Sequence, residues 1–215
     1  MKLLIPWLSF LLCAACTGEE STTVEAESIA DCCAEDGIEI EDALAAIDLD
    51  AESIYQLPTQ FTDTKGAKRV LADYRGKPVV VSMIFTHCEY ACPVILEDLA
   101  RFEESLTAAE REAVDWLLIS FDAKRDTPEV LAAYAKKNEL NPEYWSLLHT
   151  EDAGVRETAA VLGVRYKETP TGGYSHANRI TVLDAQGKIF HRLDGLNVDV
   201  SPGVEAVRAL LATDI

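Results

Sequence analysis

Seven residues, Val79-Val80-Val81-Ser82-Met83-Ile84-Phe85, run without a charge straight into Thr86-His87-Cys88-Glu89-Tyr90-Ala91-Cys92-Pro93. A short, nearly continuous apolar run after Gly76-Lys77-Pro78 suits a central strand buried on both faces. Beyond it, Ile95, Leu96, Leu99, Phe102 and Leu106 recur at helical spacing, and Pro93 is well placed for a first helical turn. Strand, cysteine loop and helix therefore follow one another.

The rest of the chain repeats this alternation. Trp116-Leu117-Leu118-Ile119-Ser120-Phe121 reads as a second buried strand ending at Asp122. Thr127-Pro128-Glu129 opens a helix with an N-cap residue, a proline and an early acid, and Leu131, Tyr134 and Ala135 supply its apolar face. A similar start at Thr150 leads through Val155 and Ala159 to Leu162, with Gly163 as the C-terminal stop. The stretches 180–183 and 188–193 flank Asp184-Ala185-Gln186-Gly187, a hairpin signature, and Pro202 opens a last amphipathic helix. The order β-α-β-α-α-β-β-α predicts a layered α/β domain with a mixed central sheet flanked by helices.

Charge divides the chain. The whole carries a net charge of -18, yet residues 17–52 hold 13 acids and no Lys, Arg or His. So acidic a run reads as a solvated tether, and the domain from residue 53 to 215 is only mildly acidic. The overall charge would repel a polyphosphate backbone, which makes nucleic acid a poor partner. Ahead of the tether, Lys2 precedes an apolar stretch over residues 3–15 that ends in Ala14-Ala15-Cys16. As a helix it would span about 20 Å, short of the roughly 30 Å hydrocarbon core, so it reads as a signal peptide over residues 1–15. Leu12-Cys13-Ala14-Ala15-Cys16 resembles a bacterial lipobox, with Cys16 as the lipidated first residue of a mature chain and residues 16–52 as its tether.

Four cysteines then remain: Cys32, Cys33, Cys88 and Cys92. In an exported protein the default is two disulfides. Cys88 and Cys92, four apart at a strand-to-helix junction, can instead face one side near a helix N-terminus, which favours thiolates. Two thiolates prefer Cu(I), zinc or an iron-sulfur cluster over hard cations. A structural disulfide explains a lone C-x-x-x-C equally well.

Phe85-Thr86-His87-Cys88-Glu89-Tyr90-Ala91-Cys92-Pro93, then Ser120-Phe121-Asp122-Ala123-Lys124-Arg125-Asp126-Thr127-Pro128, then Ser175-His176 ahead of Thr181-Val182-Leu183-Asp184-Ala185-Gln186-Gly187, together resemble the Sco/SenC family. The resemblance implies a thioredoxin-like fold over residues 53–215, anchored on the outer face of the bacterial inner membrane or in the periplasm. It further implies copper as the bound metal and a role in assembling the dinuclear copper centre of cytochrome c oxidase. The family's metal site maps onto Cys88, Cys92 and His176. Two thiolates with a neutral imidazole suit both Cu(I) and Cu(II).

The other histidines are weaker candidates. His87 should point away from Cys88, and His149 and His191 have ordinary surface or core readings. Asp122, at the end of a buried strand, is a candidate to orient a ligand or else to cap the turn before Thr127. Asp126 reads as a local turn residue. Cys32-Cys33 is a candidate accessory soft-metal or electron-relay site on the tether. Two functions follow. The first is a copper metallochaperone that serves the copper-receiving subunit of a respiratory oxidase. The second is a membrane-anchored thiol-disulfide oxidoreductase using Cys88 and Cys92, with a thioredoxin-like reductant as partner. An ordinary oxidoreductase of this fold has Pro just before the strand near Ile180, where this chain has Ala177-Asn178-Arg179, and that favours the metal.

Overall fold

The computed structural model describes residues 52–170 and 172–213. The expected signal peptide, Cys16, and the Cys32-Cys33 pair lie outside the described residues. At the centre stands β3 (Val79–Ile84), all six of whose residues are buried. It pairs in parallel with β4 (Asp115–Ser120), from Val79 opposite Asp115 to Ile84 opposite Ser120. On its other side β8 (Arg179–Leu183) runs antiparallel, and β9 (Ile189–Asp194) closes that edge. The hairpin between them is the expected one. The Asp184 carboxylate accepts the backbone N–H groups of Gln186 and Lys188, and Gly187 adopts φ 82°. A Cβ at Gly187 would lie 2.6 Å from the Tyr55 ring, so glycine is required by space as well as by conformation.

The sheet has seven strands in the order β2-β1-β5-β4-β3-β8-β9, three of them absent from the sequence reading. β5 (Trp145–His149) runs parallel to β4, while β1 (Phe61–Asp63) and β2 (Lys68–Arg69) form an antiparallel edge beyond it. Trp-Ser-Leu-Leu-His is only five residues long and lies directly before the Thr150 helix signal, which masked it. The edge strands are two and three residues long, too short for a periodic pattern. A separate two-stranded ladder joins β6 (Tyr166–Glu168) to β7 (Tyr174–His176). The sequence carries no strand signal there, because Pro170 and Gly172-Gly173 dominate its pattern.

Helix α1 (Ala91–Glu104) buries Cys92, Ile95, Asp98, Leu99 and Phe102, the stripe its spacing predicts. A short α2 (Ala108–Glu112) follows, held by the capping box of Thr107 and Glu110. In α3 (Pro128–Lys137) the Thr127 hydroxyl accepts the Val130 N–H at 3.4 Å. Helix α4 (Asp152–Leu162) ends at Gly163 in the left-handed conformation, φ 69°, as the sequence predicts. The last helix is α5 (Ser201–Thr213). Fully buried Trp116 packs edge-on against Phe102 of α1 across the layer at 5.5 Å, and within the sheet its ring lies tilted against Trp145 of β5 at 5.2 Å. Among the described residues no helix is long and apolar enough to cross a membrane.

This topology decides where chemistry can sit. Parallel β3 and β4 end at the same side of the sheet, and antiparallel β8 begins there. The loop 85–90, the loop 121–127 and the residues just before β8 are therefore neighbours, in the crevice outside the carboxyl ends of parallel strands.

Candidate metal centre

Phe85, Thr86 and His87 leave β3 in a turn closed by the Cys88 N–H on the Phe85 carbonyl at 3.3 Å. The turn is clamped from the neighbouring loop by Asp126. The Asp126 carboxylate is completely buried and accepts the Thr86 N–H at 2.9 Å, the Thr86 hydroxyl at 2.5 Å and the Ser120 hydroxyl at 2.6 Å. Three donors, one of them a backbone amide, offset the cost of burying the carboxylate.

Cys92 sits in the first turn of α1, fully buried, while Cys88 is half-buried, and both are free thiols. The N–H of Cys92, one of the amides a helix start leaves unpaired, donates to Cys88 Sγ at 3.2 Å. Burial raises the Cys92 thiol above its ordinary range, against a smaller opposing effect from a hydrogen bond with the Phe85 backbone. It therefore stays protonated at neutral pH in the metal-free protein. Tyr90, between the two cysteines, is 78% exposed.

His176 arrives on β7, 84 positions after Cys92. Its ring lies against Phe121 at 4.8 Å and edge-on to Phe85 at 6.0 Å. Burial lowers its pKa below the usual imidazole value, so the ring is neutral at pH 7. Its Nδ1 lies 3.3 Å from the Ala177 carbonyl. A carbonyl can only accept, so Nδ1 carries the proton and Nε2 keeps a free lone pair. That Nε2 is buried and has no hydrogen-bond partner.

The Cys88 and Cys92 sulfurs and a ring nitrogen of His176 all lie within 4.8 Å of one another. Two soft sulfurs and a neutral imidazole with an unspent lone pair form a donor set for copper or zinc rather than for calcium or magnesium. The residues expected at the centre are thus brought together. His87 is not among them: its side chain is 55% exposed and turns to Thr86 Oγ1 at 3.1 Å and Asp126 Oδ1 at 3.7 Å. His149 Nδ1 donates to the Asp126 carbonyl at 3.0 Å from β5, and His191 lies on β9. Asp122 is buried and accepts the Arg125 backbone N–H at 3.2 Å and the Arg125 Nε. It lies close to Asp126 and His87, and its bonds are those of a turn residue.

Two contributions escaped the sequence. Asp126 makes a turn bond, its N–H to the Asp122 carbonyl, and beyond that it fixes the loop that delivers Cys88. The second is the aromatic wall of Phe85, Phe121, Tyr166 and Tyr174 around His176. Ser120 at the end of an apolar run was the only local hint of a buried polar partner.

A mixed sheet flanked by helices, with two thiols at the start of a helix and an imidazole before the antiparallel strand, defines a thioredoxin-like fold that carries a soft-metal donor set. A sequence model of the SCO1/SenC family matches residues 48–212, and the chain belongs to that family. It is similar to mitochondrial protein SCO2 of Saccharomyces cerevisiae, 27% identical over 157 residues, which are 70% of this chain and 51% of that protein. The chain thus matches about half the length of that curated relative. Among solved structures it resembles Bradyrhizobium japonicum ScoI with copper bound, at 22% identity and a TM-score of 0.61 over 72% of this chain and 98% of that one. It also resembles a SCO1/SenC family lipoprotein from Bacillus anthracis, at 23% identity and a TM-score of 0.66 over 73% and 95%. At these identities the solved structures speak to the fold.

Proposed function

We propose that this protein is a copper metallochaperone that supplies the dinuclear copper centre of cytochrome c oxidase or a related respiratory copper enzyme. The observation that carries this reading is the triangle of Cys88 Sγ, Cys92 Sγ and a His176 nitrogen within 4.8 Å, together with the buried and unpaired Nε2. The copper-bound state of the similar ScoI structure supports it. Copper is cargo here. The two thiolates hold Cu(I), the imidazole adds the harder donor that Cu(II) needs, and each thiol gives up its proton as the ion enters. Half-buried Cys88 faces an incoming or outgoing ion more readily than fully buried Cys92, which makes it the entry ligand.

Anaerobic copper titration of the reduced full chain, with thiol count and optical spectrum followed together, tests this reading. One equivalent of copper should bind as two thiols disappear. A folded, fully reduced chain that takes up no copper would overturn it.

The chain's place at the membrane belongs to the same proposal. Residues 1–15 act as a signal and Cys16 carries the lipid, which holds the domain at the outer face of the bacterial inner membrane. The lipoprotein character of the Bacillus anthracis relative supports this. A Cys16→Ser variant should leave the membrane fraction with its fold intact, and a mature protein that still carries Met1 would exclude lipidation. Cys32-Cys33 serves on the tether as an accessory thiol pair, whose double serine variant should slow copper loading. A second reading, reduction of client disulfides, has one observation in its favour: both thiols are free and differ in burial, as an attacking and a resolving cysteine would.

A further inference from the structure

We propose that Arg125 is a positioning residue that sets where His176 stands, acting through Asp122 and Tyr174. This rests on the copper reading above and assigns to Arg125 and Tyr174 a part in choosing between the two oxidation states of the cargo.

The argument begins with how β7 is attached. It pairs only with β6, and this two-stranded ladder is separate from the seven-stranded sheet. Close to its end, the Ala177 N–H donates to the Arg165 carbonyl at 2.7 Å, which ties the ladder to itself. The placement of His176 relative to the cysteines therefore depends on the short link to β8 and on side-chain contacts, and these contacts converge on Tyr174, two positions earlier on the same strand. Its ring meets Phe85 at 5.2 Å and Phe121 at 5.2 Å, both edge-on.

From the open side the Arg125 guanidinium lies over the Tyr174 ring, with Cζ 5.8 Å from its centroid. Arg125 is itself fixed: its Nε and backbone N–H both donate to the buried Asp122 carboxylate. Asp122 directly follows Phe121, whose ring rests on His176. The result is a bracket around the histidine. One arm is Phe121 against the imidazole, the other is Arg125 on Tyr174, and both spring from the end of β4. Against the ladder lies a cavity of about 390 Å³ lined by Phe121, Lys124, Arg156, Tyr166 and Tyr174. The ladder thus borders a cleft beside Tyr174, and the guanidinium contact braces that ring.

A cation over an aromatic face is a directional contact, and substitution of a ligand's outer partners commonly changes metal affinity by about 10–100-fold. The consequence should be selective. Cu(I) is satisfied by two sulfurs, whereas Cu(II) depends on the nitrogen.

The experiment compares Arg125→Ala, Tyr174→Leu and Tyr174→Phe in the full chain. In the metal-free proteins, ring-to-ring NOEs between His176 and Phe121 and amide exchange over residues 166–176 are measured. In the loaded proteins, Cu(I) affinity and the sulfur-to-Cu(II) charge-transfer band are measured. Arg125→Ala and Tyr174→Leu should weaken the NOE, speed exchange and lower Cu(II) affinity about tenfold, with Cu(I) affinity within about threefold of the parent. Tyr174→Phe, which keeps the ring, should behave as the parent. Unchanged NOEs, exchange and band in Arg125→Ala would overturn the proposal, as would equal losses for both oxidation states. If the parent chain binds no copper, the function proposed above fails, and the metal-free measurements still decide whether Arg125 positions His176.

Discussion

The two cysteines stand at the end of a strand whose six residues are all buried, whereas the histidine stands on a three-residue strand outside the main sheet. On the sulfur side, β3 is bonded to a strand on each flank, Asp126 clamps the turn, and α1 buries a continuous apolar stripe. On the nitrogen side the ladder pairs only with itself and joins the sheet through the short link from His176 to β8, with rings and one guanidinium packed around it. The difference teaches how a carrier can be built. On the copper reading proposed above, a scaffold that holds the sulfurs rigidly would keep the cargo bound, while a third donor held by weaker contacts would answer to the ion's oxidation state.

Substitution at the sulfurs should have the largest effect. Cys88→Ser or Cys92→Ser should lower Cu(I) affinity beyond the roughly 10–100-fold seen for outer partners, as read by competition with a Cu(I) chelator. Retained affinity would move the site elsewhere. Asp126→Ala comes next, because it strands three donors in a buried place; it should cost about 3 kcal/mol in urea unfolding and weaken copper binding through the displaced Cys88 loop. A loss confined to copper binding, with stability intact, would deny the clamp.

The third effect is on pH. Because burial keeps the Cys92 thiol protonated in the metal-free chain, copper must displace that proton, so affinity should rise by about tenfold per pH unit for each proton released between pH 6 and 8. A pH-independent affinity would mean the thiolate is already formed. His176→Ala should be milder for Cu(I), under about tenfold, while the sulfur-to-Cu(II) charge-transfer band disappears. Equal loss of both ions would make the two sides of the site equivalent and break the comparison.

The smallest effect lies far from the site, where Arg208 of α5 donates from Nε to Glu110 at 2.9 Å. The Arg208 hydrogen bond lowers the Glu110 pKa from 4.5 to about 2. As pH falls from about 4.5, the unfolded chain takes up the proton first, so this contribution is present above that pH and is lost on the way down to about 2. The stability difference between the parent and Arg208→Ala should therefore shrink over that window, and shrink further in high salt. A difference that grows on acidification would show that the pair is not the cause.

Some of this was legible in the chain. The apolar runs at β3 and β4, the Thr127-Pro128 helix start, the Gly163 stop and the Asp184 to Gly187 turn are local signals, each contained within a few neighbouring residues, and each appears in the fold where the sequence places it. The spacing of Cys88 and Cys92 is local too, since a strand end and a first helical turn suffice to bring the sulfurs to one side. His176 was legible only through a family resemblance: no spacing rule relates a residue to one 84 positions away. Tertiary structure alone decided the rest. β5 became a central strand because β4 and β1 flank it, although its own five residues carry no clear period. Asp126 became a clamp because parallel pairing of β3 and β4 sets Thr86, 40 positions earlier, against its carboxylate. Whether a polar side chain is a turn residue or a buried anchor depends on which donors the fold brings to it, and those donors come from distant parts of the chain.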